Sequence, residues 1–492
     1  MLALGTPLAG ADNGSETAPR FGFNYWPQGY GSEALADANW AQLRPVVEAD
    51  LDHMASLGGR VLRLVFWPQL SGWTIDPTTF AVTFDQVDMA ARSRNLLELL
   101  RMARARRMSV ILCFSNNWFE LDHHEGTRWW ELAYPSFSAF LKHSVAWVNA
   151  YVQPVRNSFE SPTILYYDYE SEYSAAHPNI GRYLTTLYDL VPVSPGQRGL
   201  SVLRVPEDLD HLIGSLGNRP LDYIDFHSYP YGPVPPLNPD IPGTIAAIKL
   251  RLPAARLLLG EFGWQAEAEA DEAAQSDTVL AIATVARQQP DLTAYLHWTL
   301  WDRSPYTVPP LVWGWAYEHD RPKDVLGTMA ATSSALANSD MEQTSSDKPA
   351  GWTADGTVPV DLTAMGPAGD AATNALYARV HAAQPGIIWL MSATQPVSSS
   401  GTAYVNAYVR SNMNTVYLQV REYDALGQVI RLDRGPSVHP PGWRFWSYLH
   451  AAGSFHVLLT PNTRSVALAV VGDGGAPGDV YLDVDAVSMD VH

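Results

Sequence analysis

Two glutamates, each closing a β-rich run, are the residues of this chain best placed to do chemistry. Leu257-Leu258-Leu259 leads into Gly260-Glu261-Phe262-Gly263-Trp264. Ile164-Leu165-Tyr166-Tyr167-Asp168 leads through Tyr169-Glu170-Ser171 to Glu172. Three consecutive leucines read as a strand buried on both faces, the pattern of a parallel sheet. Carboxylates at the C-terminal ends of two such strands suit a double displacement at a sugar carbon. One protonates the departing glycosidic oxygen while the other attacks from the opposite face. Under simple strand alternation Glu170 shares a face with Glu172, so spacing alone leaves it as a rival for the acid role.

The elements that must position these residues alternate between β-rich runs and longer helical patterns. Strands are expected at Phe21–Trp26, Val61–Trp67, Ser109–Phe114, Ile164–Tyr169, Leu200–Arg204, Tyr223–His227, Leu257–Gly260 and Ala294–Trp298, with helices such as Trp40–Leu57, Phe84–Arg106 and Asp277–Arg287 between them. Eight strands with eight crossovers predict an α/β fold, a (β/α)8 TIM barrel over residues 20–340. A doubly wound open sheet is disfavoured because no glycine-rich phosphate loop follows the first strand.

Barrel chemistry gathers at the C-terminal strand ends. In order these carry Asn24, Tyr25 and Trp26; Arg63 and Trp67; Asn116, Asn117 and Trp118; Glu172; His227 and Tyr229; Glu261; and His297, Trp298 and Trp301. Each has a structural reading when taken alone: Trp67 and Trp298 as barrel caps, a lone histidine as a satisfied polar group. Together they describe a polar and aromatic rim.

Residues 341–350 form a polar linker, and residues 351–492 change character. Short alternating segments at Ala403–Arg410, Val416–Tyr423, Ser454–Leu459, Val466–Val471 and Val480–Val487, separated by turn residues, predict an all-β sandwich of jelly-roll type. Residues 1–19 read as a tail or a remnant leader without a basic start, which fits an extracellular or periplasmic protein as well as a cytoplasmic one.

With 51 acidic against 32 basic residues the net charge is −19, which argues against nucleic acid and anionic membrane surfaces as partners. No apolar run reaches membrane-spanning length. The 17 tryptophans and 23 tyrosines can stack on sugar rings or simply fill a core. Cys113, the only cysteine, lies in an apolar strand as an inert thiol. Asp122-His123-His124-Glu125 lacks the i, i+4 helical spacing of a zinc motif, so no metal and no other cofactor is expected.

The motifs carry a family resemblance. Gly260-Glu261-Phe262-Gly263 matches the strand-seven nucleophile motif, and Asp168-Tyr169-Glu170-Ser171-Glu172 fits the strand-four frame, of clan A retaining glycoside hydrolases. The pattern is most similar to family 5, the cellulase and mannanase group. Arg63, the His227-x-Tyr229 pair, Trp298 and the Tyr317–Lys323 run fall on further family positions. Ser171 departs from the pattern, standing where the family has asparagine. The resemblance, which spans the barrel, implies Glu261 as nucleophile and Glu172 as acid/base. It also implies that Arg63 and Tyr229 orient Glu261 and hold its pKa low, and that His227 hydrogen-bonds Glu172. Ser171, Asn116 and Asn117 are then substrate contacts, with Trp298 under the reacting sugar and Trp26, Trp67, Trp118, Trp264 and Trp301 lining neighbouring positions.

The C-terminal segment resembles carbohydrate-binding modules through Tyr481–Ser488, with Trp443, Trp446 and Tyr448 as possible stacking residues; the alternative is a domain that only stabilises the barrel. The implied activity is hydrolysis of a β-linked glucan, mannan or related glycoside, endo or exo, on a carbohydrate partner. A non-catalytic sugar-binding barrel and a metal-dependent hydrolase are the competing readings. Oligomeric state is not legible.

Overall fold

The computed structural model describes residues 18–25, 27, 32–65, 73–75, 82–84, 88–114, 123–124, 127–128, 130–131, 134–176, 179–229, 236–264, 272–299, 316–318, 321–322, 341, 343–365, 377–397, 401–435, 437, 447–448, 455–475 and 477–491. Eight strands close into a barrel: β1 (Arg20–Asn24), β2 (Val61–Val65), β3 (Ser109–Cys113), β4 (Ile164–Asp168), β5 (Arg198–Val202), β6 (Tyr223–Ser228), β7 (Arg256–Phe262) and β8 (Leu292–His297). Every neighbouring pair is parallel, including β1 with β8. All eight expected strands are present, with ends differing by a few residues.

Helices α1 (Asp37–Ser56), α2 (Met89–Ala105), α3 (Phe137–Arg156), α4 (Ile180–Leu190), α5 (Glu207–Leu216), α6 (Ile241–Arg251) and α7 (Glu272–Arg287) surround the sheet. In α1, Leu43, Val47, Leu51 and Met54 are buried at helical spacing, the stripe that docks on the strands. The expected start of the second helix at Phe84 is corrected. Val82–Phe84 is a short strand paired with Trp73–Ile75, and the helix starts after Asp88, whose side chain accepts the Ala91 N–H at 2.9 Å. Among the described residues no helix is long and apolar enough to cross a membrane.

Strand alternation sorts the core into two shells. Phe21, Phe23, Leu62, Leu64, Val110, Leu112, Tyr167, Leu200, Val202, Ile224, Phe226, Leu257, Leu259 and Tyr295 belong to the cluster between sheet and helices. Val61, Ile111, Tyr166, Tyr223, Leu258, Ala294 and Leu296 fill the barrel interior. Gly199 belongs to this inner packing: a Cβ there would stand 2.3 Å from the Tyr166 ring.

Among the described residues the C-terminal part is all antiparallel β, as expected. One sheet orders Trp352–Gly356, Gly386–Ser392, Ser465–Gly474, Thr415–Tyr423 and Val429–Arg434. The other orders Asp361–Met365, Tyr377–Ala382, Val480–Val491, Thr402–Ser411 and Ser447–Tyr448. An apolar core that includes Ile388, Leu390, Val405, Leu418, Leu468 and Leu482 is drawn from both. This part meets the barrel at the end where α1 and α2 finish. Tyr404 enters the barrel-side core, and its hydroxyl donates to the Ala105 carbonyl at 3.3 Å. Ser56 and Ser488 hydroxyls lie 2.6 Å apart, and Arg60 pairs with Asp490.

Candidate active site

At the C-terminal end of the barrel the inward positions stop being apolar. One step above Val61, Ile111, Tyr166 and Tyr223 come Arg63, Cys113, Asp168 and Asp225, all fully buried. Arg63 is the hub. Its Nη1 donates to Glu261 Oε1 at 2.6 Å and to Asn24 Oδ1 at 2.9 Å. Its Nη2 donates to Asp168 Oδ2 and to Ser171 Oγ, both at 2.9 Å, and Nε lies 3.8 Å from Asp225 Oδ2. Burial favours loss of the guanidinium charge, but the surrounding Asp225, Asp168 and Glu261 carboxyls outweigh it and hold Arg63 firmly cationic.

The two glutamates arrive by different backbone devices. On β7 the register slips against both neighbours around Gly260 and Glu261, a bulge that turns Glu261 to the interior. Gly260 is required there: a Cβ would sit 2.6 Å from the Asp225 carboxyl carbon. After β4 the chain keeps running beside β5, with Ser201 N–H donating to the Glu170 carbonyl and Tyr173 N–H to the Ser201 carbonyl. The two residues between loop out, and Glu172 has φ 59°. A non-glycine residue in that left-handed region is uncommon and is seen most where a side chain must be aimed. This settles the geometry of Glu170 and Glu172: Glu170 is fully buried whereas Glu172 is partly open, so they do not share the environment that strand alternation suggested.

Glu172, His227 and Glu261 converge, with one side-chain atom of each lying within 4.8 Å of the others. His227 Nδ1 is 3.1 Å from Glu172 Oε1 and 3.3 Å from Glu261 Oε2. Tyr229 donates its hydroxyl to Glu261 Oε2 at 2.9 Å. Burial would push the His227 imidazolium down, but the Glu261, Asp225 and Glu172 carboxylates reverse this and raise it to about 10. The expectation that Glu261 is held at a low pKa is corrected. Burial raises it, and His227, Arg63 and the Tyr229 hydrogen bond offset only part of that rise. Two deeper carboxyls shift in opposite directions. Burial dominates at Asp168 and lifts it, whereas Asp225, which has His227 as well as Arg63 beside it, falls below the ordinary range.

Of the residues expected at the site, Arg63, Ser171, Glu172, His227, Tyr229 and Glu261 are brought together. Trp298 follows β8 directly, half-buried, its N–H donating to the Phe262 carbonyl at 2.8 Å; Trp264 follows β7, also half-buried. Trp26, Trp67, Asn116, Asn117, Trp118 and Trp301 lie outside the described residues, as do Trp443 and Trp446. Tyr25 and His297 are not rim residues. Tyr25 donates to Asp50 Oδ2 at 2.6 Å on the α1 side, and the His297 ring packs edge-on against Phe262 at 5.4 Å. Cys113 is buried with its thiol pKa pushed up, matching the inert reading. Asp168, Asp225 and Ser201 were not singled out from sequence. The available signal was an acid at an inward position of an otherwise apolar strand, twice.

No protein-family model and no curated protein matches the chain. Solved structures do. The enzymatically active domain of tailspike protein 4 from bacteriophage CBA120 shares 11% identity at TM-score 0.24, covering 31% of this chain and 22% of that one. The exo-β-1,4-mannosidase Op5Man5 from Opitutaceae bacterium strain TAV5 shares 20% identity at TM-score 0.41, covering 64% and 60%. A GH5_18 protein from Streptomyces cattleya, in complex with GlcNAc, shares 16% identity at TM-score 0.43, covering 64% and 79%. The chain thus spans less than two thirds of the length of the first two.

Proposed function

We propose that this chain is a retaining β-glycoside hydrolase acting on a β-linked glucan, mannan or related glycoside, with Glu261 as nucleophile and Glu172 as acid/base. The observation that carries the proposal is the meeting of Glu172 and Glu261, from the ends of β4 and β7, with side-chain oxygens within 4.8 Å. Direct attack by one carboxylate asks for a separation of about 5–5.5 Å, whereas an interposed water asks for roughly 6.5–9.5 Å.

In the first step a Glu261 oxygen attacks the anomeric carbon while Glu172 gives its proton to the leaving glycosidic oxygen. The glycosyl ester on Glu261 is then opened by water, whose proton passes back to Glu172. Arg63 on one Glu261 oxygen and Tyr229 on the other fix the attacking geometry. Ser171 is held by Arg63, so a sugar hydroxyl reaching it meets an oriented side chain. Trp298, directly after β8, and Trp264, shortly after β7, are assigned as the aromatic residues on which sugar rings stack.

A panel of aryl β-glycosides and β-glucan, mannan and xylan polymers, with product stereochemistry followed by NMR, tests the reading. Hydrolysis that first releases the β-anomer and survives exhaustive chelation is expected. Release of the α-anomer, or no hydrolysis across the panel, contradicts it.

A further inference from the structure

Below the reacting pair, Asp225 and His227 occupy successive inward positions of β6. We propose that Asp225 is a positioning residue that holds His227 with both ring nitrogens donating, so that one cation faces Glu172 and Glu261 at once. The geometry carries this. Asp225 Oδ1 is 3.5 Å from His227 Nε2, and Ser201 Oγ of β5 is 2.9 Å from the same nitrogen. The opposite nitrogen faces Glu172 from the loop after β4 and Glu261 from β7. A neutral imidazole carries one N–H; with it on Nδ1, Nε2 could still accept from the Ser201 hydroxyl, but its lone pair would then face the Asp225 carboxylate 3.5 Å away, and carboxylates on both edges of the ring favour the doubly protonated form. Asp225 is itself anchored, with Tyr166 donating to Oδ2 and Arg63 Nε 3.8 Å away. The absent side chain of Gly260 makes the room it occupies.

The arrangement suits a charge that moves, a consequence resting on the proposed double displacement. In the resting site the negative charge is on Glu261; after the first step it is on Glu172. His227 Nδ1, 3.3 Å from one and 3.1 Å from the other, stays in contact with whichever carboxylate is ionised. No counter-ion has to enter or leave, which is electrostatic preorganisation of the kind that accelerates charge-separating steps.

The test is nitrogen-15 NMR of histidine-labelled full-length protein, with His227 assigned by H227Q, on wild type, D225N and S201A. Wild type is expected to keep both His227 nitrogens protonated from about pH 5 to about pH 9. In D225N the ring should titrate lower by about one pH unit or more, and S201A should behave as wild type. If the panel yields a substrate, the alkaline limb of kcat/KM in D225N should move acidward by the same interval, lowering the rate about tenfold there relative to the acid side. A neutral His227 in wild type at about pH 7, or an unshifted titration in folded D225N, overturns the proposal. Should D225N fail to fold, the wild-type protonation state still decides. The two readings fail separately: a doubly protonated ring without hydrolysis sinks only the proposed function, and hydrolysis with a neutral ring sinks only this inference.

Discussion

Arg60 and Arg63 stand three residues apart and mark the two ends of the barrel. Arg60 enters β2 and pairs with Asp490 of the C-terminal sheets, the side chains 22% and 16% exposed. Arg63, within the same strand, is fully buried with Asp168, Asp225 and Glu261 around it. A partly solvated pair contributes about 0–1 kcal/mol, so the lower contact is a docking contact whose strength comes from packing. A buried cluster of charges carries a desolvation penalty that apolar residues would avoid, and breaking one member of it strands the others. Charge concentrated at one end of the barrel while the interior beneath it is Val61, Ile111, Tyr166, Tyr223, Leu258, Ala294 and Leu296 points to chemistry at that end.

The largest effect is expected at the reacting pair. Glu261→Gln should lower kcat by about 10⁴-fold or more with the fold intact, read on whichever aryl glycoside the panel identifies. Glu172→Gln should cost about 10²–10⁴-fold, and less for an aryl leaving group that departs without a proton. Next comes the hub. Arg63→Met should destabilise the protein by about 3–5 kcal/mol, measured by denaturant unfolding, because Asp168, Asp225 and Glu261 lose their shared cation. Tyr229→Phe removes one hydrogen bond to Glu261 and should lower kcat/KM roughly tenfold, the equivalent of about 1.4 kcal/mol. At the other end, Ser488→Ala should cost about 0.5–1.5 kcal/mol of stability and leave kcat unchanged.

The buried end also responds to pH. His227 has a folded-state pKa of about 10, above its ordinary value. The stability it contributes is therefore complete below about pH 6.5 and is lost as pH rises towards about 10. Unfolding free energy should decline across that interval in wild type and decline less in H227Q. Glu261 must be ionised to attack, and its raised pKa places the acid limb of kcat/KM above the ordinary carboxylate range.

Much of this was legible in the chain. Leu257–Leu259 and Ile164–Tyr167 announce strands by apolar runs, and Arg63 and His227, read from strand ends and from the family resemblance, sit on regular inward positions of β2 and β6. What alternation could not reach is where the backbone departs from it. The bulge at Gly260 and the left-handed turn at Glu172 are tertiary choices made against β5, β6 and β8, and they separate Glu172 from Glu170. Position at a strand end alone misplaced Tyr25 and His297, which share the outward face of their strands with Phe23 and Tyr295. Asp168 and Asp225 were readable as acids at inward positions, but their meaning comes only from Arg63 across the barrel and from His227 at the next inward position of β6. The Glu261 pKa ran opposite to expectation because full burial outweighs two neighbouring cations.

The central claim, direct covalent attack by Glu261, is tested by intact-protein and peptide mass spectrometry after incubation with a 2-deoxy-2-fluoro aryl glycoside of the preferred sugar. A single glycosyl adduct on the peptide holding Glu261, absent from Glu261→Gln, is the predicted result. An adduct on another residue, or continued turnover with no adduct on any peptide, contradicts it.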